Sequence, residues 1–274
     1  MIDIYQIFYK QAQLEFLSPL AKPYFNPINE RSYLCEHSVF QDVYNSKKCF
    51  SNEYTGFVSW KFEQKSKIKM EAFLKFIEQN SGYDVYFINP LPWPAFFFRN
   101  IWIQGEKHHP GLLNLSQKIL NSINYKVDLQ TVIFSNDISS FCNYWVANAN
   151  FWNSFMSFLT PIYKILDEGS IFTESEKLNL WSNADLKYEY IPHHTFILER
   201  LFTTFLYLHP KIKFKAFPIT ENNYLEKRYQ EYSELFFIAD NLKRIYQGRN
   251  YNDIDLDLNL NRCFNIFSKN CSLE

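Results

Sequence analysis

At 274 residues, with 47% apolar and 21% charged side chains, the chain is long enough to bury a substantial core and too apolar for wholesale disorder. A net charge of −1, with no dense Lys/Arg block, provides no long-range positive field, so a nucleic-acid partner is not expected. The five cysteines form no CxxC pair and stand in no His-x₃-His context, which argues against a zinc site or a disulfide framework.

Free thiols in a reducing compartment are therefore expected. The opening MIDIYQIFYK lacks a basic segment followed by an apolar one, so it does not read as a signal peptide. No run approaches the ~18 apolar residues that span a bilayer. The expected location is the cytoplasm, with peripheral contact at the inner face of a membrane left open. Aromatics reach 19%, which the codon usage of an AT-rich gene explains better than a stacking function does.

Residues 2–8 form a short apolar, β-branched run that reads as a first strand. In 9–53 the prolines at 19, 23 and 27 forbid a long helix. Residues 54–60 (YTGFVSW) are a second strand, and 70–79 a helix with Met70, Phe73, Leu74 and Ile77 on one stripe. Gly82 can end that helix, and 84–88 (DVYFI) is a buried strand that stops at Asn89-Pro90. From 90 to 111 the four prolines, Trp93, Trp102 and a Phe run predict a long loop of functional interest.

Helical spacing resumes over 112–123, and strands are expected at 131–134 and 141–146. Asn148 can cap a helix reaching Leu166, kinked near Pro161. A further helix spans 195–208, a long one spans 221–247, and 251–260 reads as an irregular tail. Strands alternating with helices imply an α/β layered fold, with residues 1–210 as the ligand-binding domain and 211–274 as a helical extension packed on it. In such sheets ligands lie beyond the carboxyl ends of the strands.

GxGxxG, GxxxxGK[ST], GxSxG and HExxH are all missing from the sequence. Softer signals remain. Asp84 could offer a hard oxygen to a divalent cation on a nucleotide diphosphate. Residues 104–111 (QGEKHHPG) gather an acid, a base and two imidazoles, so that His109 or Glu106 could take a proton from an acceptor hydroxyl. Glu199 lies on a stripe with Thr203 and Tyr207, for which a solvated face is the simpler account. Gly56 permits close backbone approach, and Lys61 and Lys65 follow it to offset phosphate charge. Asn143 is a polar residue in an apolar strand, beside a Cys142 that nothing nearby in sequence activates.

Taken in order, IYQI at 4–7, Tyr54-x-Gly56, Asp84-Val85-Tyr86, His109-Pro110-Gly111, Cys142-Asn143-Tyr144 with Phe151-Trp152, and Phe196-x-x-Glu199-Arg200-Leu201 resemble bacterial polysaccharide-biosynthesis glycosyltransferases. These are small GT-A-like enzymes of capsule and lipopolysaccharide O-antigen clusters. The resemblance covers residues 2–210 and implies a GT-A-like domain with a mixed, mostly parallel sheet flanked by helices. It implies a nucleotide-sugar donor and a glycan or lipid-linked glycan acceptor. Tyr5 and Gln6 would line the nucleotide pocket, Asp84 and Tyr86 would flank the sugar diphosphate, and Glu199 and His109 would serve acceptor activation. Asp-Val-Tyr stands where the family shows Asp-x-Asp, so a Mg²⁺ or Mn²⁺ site on Asp84 and a metal-independent reaction using Lys61, Lys65 or Arg99 stand level. The competing expectation is a non-catalytic subunit of an envelope-polysaccharide assembly that docks through the aromatic run 91–102.

Overall fold

A computed structural model describes residues 1–27, 31–184, 191–218, 231–247 and 253–270. Among the described residues six strands form one sheet: β1 (Ile2–Phe8), β2 (Lys22–Phe25), β3 (Tyr54–Ser59), β4 (Val85–Phe87), β5 (Trp145–Ala147) and β6 (Phe214–Ala216). Their spatial order is β2-β1-β3-β5-β4-β6. Of these six, only β5 runs against the rest, paired antiparallel to β3 and β4. The fold is thus α/β with a mixed, mostly parallel sheet flanked by helices. β6 lies beyond residue 210 yet belongs to this same sheet.

Alternation along the strands sends side chains to two cores. Ile7, Phe57, Val85, Phe87, Trp145 and Ala147 face one side. There they meet α1 (Glu36–Asn45), α5 (Ile101–His108), α6 (Leu112–Ser122), α7 (Ala149–Glu168), α8 (Glu174–Trp181) and α9 (His193–Leu208). Ile4, Val58, Tyr86, Ile88 and Val146 face the other, against α2 (Phe62–Ser66) and α3 (Met70–Gln79). A third core joins α4 (Pro92–Phe97) to α10 (Ser233–Gln247) and α11 (Asp253–Asn270) through Phe97, Phe236, Leu260 and Phe267.

Several expectations hold closely: the helix over 70–79 is α3, and Asn148 caps α7 by accepting from Phe151 N–H at 2.9 Å. Others do not. The expected loop 90–111 is two helices. Pro92 stands in the first turn of α4, where a proline is tolerated, and Asn100 caps α5 by accepting from the Trp102 and Ile103 N–H groups. Because Phe97 and Phe98 of this run are buried in the third core, the run is mostly interior rather than a docking surface. No strand forms at 131–134. The strand expected from 141 begins only at Trp145, because Cys142 and Asn143 adopt left-handed backbone angles (φ 67° and 51°) that break a pleat. Residues 253–260 are helical rather than an irregular tail; 251 and 252, like 221–230 of the expected long helix, fall outside the described residues. Among the described residues no helix is long and apolar enough to cross a membrane.

Gly56 sits at the sheet's centre, opposite Val146. A Cβ there would lie 2.1 Å from the Trp145 carbonyl oxygen, so the glycine makes room for β5 itself. The reading of Gly56 as a donor contact gives way to this packing role.

Candidate functional site

Chain order reverses direction between β1 and β3, since β2 lies to one side of β1 and every later strand to the other. In open α/β sheets this switch point, at the carboxyl ends of the strands, is where ligands bind. Gln6 fastens both lips of that opening. Its side-chain oxygen accepts from Ser18 N–H at 2.8 Å and its amide donates to Ser59 O at 3.3 Å, while the residue is 1% exposed. Below it a hollow of about 490 Å³ is lined by Phe16, Ser18, Trp60, Glu63 and Lys69. The Phe16 and Trp60 rings tilt together at 5.5 Å, and Lys61 lies 4.9 Å over Trp60.

Beside this hollow five segments bring polar groups together. β1 leads to Tyr9, whose hydroxyl donates to Glu36 Oε1 at 3.4 Å. Glu36 opens α1, directly after Cys35. α2 presents Lys65, whose ammonium lies 3.5 Å from Cys142 Sγ. The 142–144 segment entering β5 donates Cys142 N–H to Glu199 Oε1 at 3.2 Å and ties Tyr144 to Ser59 through a 2.6 Å hydroxyl pair. α9 supplies Glu199, with Thr195 one turn earlier against Cys35.

Burial and these neighbours set the charges. Burial pushes both thiols, Cys35 and Cys142, up to about 12, so they are neutral at pH 7. Cys142 beside it, then Glu199 and Glu36, hold the Lys65 ammonium above the ordinary lysine range. Burial, reinforced by Glu199, raises Glu36, whereas Lys65 pulls it back down. The arrangement is one cation between two carboxylates, with neutral thiols and tyrosine hydroxyls around it.

Asn143, next to Cys142, takes a left-handed conformation and is 4% exposed. Its amide lies 3.5 Å from His37 Nε2, and His37 meets the Tyr163 hydroxyl at 2.8 Å through Nδ1. Burial lowers His37 to about 3, so the ring is neutral. Among the described residues Asn143 Oδ1 has no partner, an unmet acceptor on one of two adjacent residues with left-handed backbones.

Of the residues singled out from sequence, Lys65, Glu199 and Asn143 converge here, while Gln6 and Lys61 contact Ser18 and Trp60 of the hollow's lining. Tyr5 is half-buried in β1, stacked on Phe57 at 5.7 Å and placed 5.9 Å from Tyr24. Asp84 corrects the sequence reading: it precedes the first residue of β4, at the amino end of that strand and so away from the carboxyl tips of the sheet. Its carboxylate accepts from Asn148 Nδ2 at 2.9 Å and Lys213 N–H at 2.8 Å, a joint between chain segments. Among the described residues no cluster of three or more His, Cys, Asp or Glu is poised to hold a metal ion. Tyr86 is fully buried in the second core with its hydroxyl donating to Asn80 O, so it flanks no ligand.

His109 stacks on Phe196 at 3.6 Å and meets Ala184 O at 2.9 Å. Glu106 accepts from the Gly111 and Leu113 N–H groups, both at 2.8 Å, and so caps α6. Both side chains lie at the start of α6 and the first turn of α9. Their part is to seat the 104–111 segment against α9. Gly105 completes that seat, because a Cβ there would press within 2.6 Å of Arg200 Nε. Arg200 is buried and bonded to Ile101 O, Phe196 O and Gln104 Oε1, which fixes α9 and hence Glu199. Arg99 is likewise buried and held by Asp257 at 2.8 Å and Thr131 O at 3.1 Å, committed to the C-terminal helices.

Tyr9, Cys35, Glu36 and His37 were not singled out from sequence. They lie in the proline-rich 9–53 stretch, where Glu36-His37 follows no Ser, Thr, Asp or Asn that would mark a helix start.

No family model matches the chain, and no curated protein matches it. Among solved structures it is similar to WbbM, described as a bifunctional glycosyltransferase in its apo form, with a TM-score of 0.51 at 15% identity. The likeness covers 78% of this chain and 44% of that one, so the chain spans less than half the length of WbbM. At this identity the likeness is one of fold.

Proposed function

We propose that the chain is a glycosyltransferase that takes its sugar from a nucleotide donor. The observation that carries this reading is the convergence of Lys65, Glu36, Glu199 and Asn143 at the switch point of a sheet whose fold is shared with a glycosyltransferase. In this account the nucleotide base rests in the hollow against Trp60 and Phe16, and Lys65 and Lys61 face the diphosphate. Asn143 Oδ1 accepts from a sugar hydroxyl.

Glu199 acts as the base. It removes the acceptor hydroxyl's proton as the oxygen attacks the anomeric carbon, while the bond from that carbon to the diphosphate breaks and its electron pair leaves with the diphosphate. Lys65 stabilises the charge that builds on the leaving oxygen, and its position between fixed segments costs no reorganisation. Glu36 sits where an anionic donor would raise it further, which favours its protonated, hydrogen-bond-donating form. The acceptor in this reading is a growing surface glycan, of lipopolysaccharide or capsule type, and the family of the enzyme is GT-A-like. A metal ion on Asp84 has no place in it.

Calorimetric titration with UDP, GDP, dTDP and CMP tests the reading. Binding of at least one nucleotide is expected, at least tenfold weaker in Lys65→Met and within twofold of wild type in Asp84→Ala. No binding across the panel, with or without Mn²⁺, would contradict it.

A further inference from the structure

A second cavity, of about 930 Å³, opens at the same sheet edge, over the carboxyl ends of β4 and β6 and against α10. Its walls are mainly apolar, with Phe87, Phe96, Phe217 and Phe236 among them, and Phe237 stands 69% exposed at its mouth. Asn89 belongs to the lining and is 4% exposed. Its side-chain oxygen accepts from Leu91 N–H at 3.1 Å, but Nδ2 has no partner among the described residues. A buried amide with an unused donor in an otherwise apolar wall is suited to a ligand oxygen.

The charges at the cavity narrow the ligand. Asp137, Glu234 and Asp240 contribute three carboxylates against Arg244, which is already bonded to Asp240 at 2.7 Å. An anionic ligand would be repelled here. An uncharged amphiphile, with an apolar body and a hydroxyl or ether head, fits both the walls and the charge.

The chain segment that lines the cavity also runs on to the candidate site. Ser139 lines it, Ser140 N–H donates to Thr203 Oγ1 on α9 at 2.9 Å, and Cys142 N–H donates to Glu199. Three residues of chain span at most ~10 Å. We propose that this cavity holds the apolar aglycone of the acceptor, an uncharged alkyl-type carrier whose head oxygen accepts from Asn89 and faces Glu199. This inference rests on the glycosyl-transfer reading for the role of its ligand, not for the binding itself.

The test is fluorescence titration with N-phenyl-1-naphthylamine, an uncharged apolar probe without oxygen, displaced by octyl β-D-glucoside below its micelle concentration. The expected result is saturable probe binding, displacement by octyl glucoside, and no displacement by glucose. Asn89→Asp keeps the acceptor for Leu91 N–H and removes the donor. It should weaken octyl glucoside about tenfold, the factor one hydrogen bond of ~1.4 kcal/mol supplies, and leave the probe within twofold. Ala216→Trp, which fills the cavity, should abolish both; if it fails to fold, Phe237→Glu at the mouth should weaken the probe at least fivefold.

Absence of probe saturation in the wild type, or equal octyl glucoside affinity in wild type and Asn89→Asp, would overturn the assignment. Nucleotide calorimetry on the same preparations separates the two readings. Amphiphile binding without nucleotide binding sinks glycosyl transfer and leaves the cavity's ligand class standing, whereas nucleotide binding alone sinks the cavity assignment.

Discussion

Replacing Glu199 by Gln separates chemistry from binding. The amide keeps the size of the carboxylate, and its oxygen can still accept from Cys142 N–H at the 3.2 Å now seen. Arg200, only 3.6 Å from Glu199 Oε2, keeps its bonds to Ile101 O, Phe196 O and Gln104, so α9 stays in place. Stability should therefore move by less than ~1 kcal/mol. What disappears is the base and one negative charge next to Lys65. Loss of a general base costs about 10²–10⁴ in rate, or ~2.7–5.5 kcal/mol of barrier. Removing a carboxylate from the diphosphate's surroundings should leave nucleotide affinity unchanged or tighter. The assay is release of nucleoside diphosphate from the nucleotide sugar, with water in the acceptor's place, at saturating donor. A kcat within threefold of wild type would refute the assignment of Glu199, as would a loss confined to nucleotide binding.

Other changes probe the frame. Gly56→Ala drives a Cβ to 2.1 Å from the Trp145 carbonyl oxygen and should cost at least ~3 kcal/mol or prevent folding, read by denaturant melts of the soluble fraction. Asp84→Ala removes the acceptors of Lys213 N–H and Asn148 Nδ2 and should cost about 1–3 kcal/mol in the same melts. His37, lowered to about 3 by burial, leaves the unfolded chain binding the extra proton between about pH 3 and 6.5. Stability should then rise with pH across that window and be complete above it, and His37→Gln should flatten the rise. Lys243 is buried, donates to Ala95 O and Asn136 Oδ1, and is lowered by burial to about 7. The unfolded chain holds more protons from about pH 7 to the ordinary lysine value, so stability should climb over pH 7–9.5 in the wild type and not in Lys243→Gln.

The helices α3 and α7 could be read from sequence because one face of each is buried along its length, and β3 because all of its residues are buried, on both faces of the sheet. The aromatic run at 90–111 hid two helices, since Pro92 and Pro94 lie in the first turn of α4 where they do no harm, Pro90 and Pro110 lie outside both helices, and its Phe side chains serve a core built with distant residues such as Phe236 and Phe267. At the candidate site Asn143 was visible as a polar residue in an apolar run, Lys65 as a charge that could offset phosphate, and Glu199 only against the simpler account of a solvated face. Glu36 and Tyr9 were not, because only the tertiary fold brings α1 to the tips of β1 and β3. Asp84 misled for a related reason: an acid beside a strand signals a ligand only at the carboxyl tips, and the pairing of Val85 with Ala147 starts β4 just after Asp84, at the amino end. His109 and Glu106 gave a chemically rich signal that the fold spends on capping and stacking.

The most direct measurement is a crystal structure of the protein with the nucleoside diphosphate that calorimetry selects. The account places the nucleotide over the ends of β1 and β3, with a diphosphate oxygen within about 4 Å of Lys65 Nζ and the base against Trp60. A nucleotide seated at the Asp84 edge, or anywhere that leaves Lys65 without a phosphate contact, would contradict it.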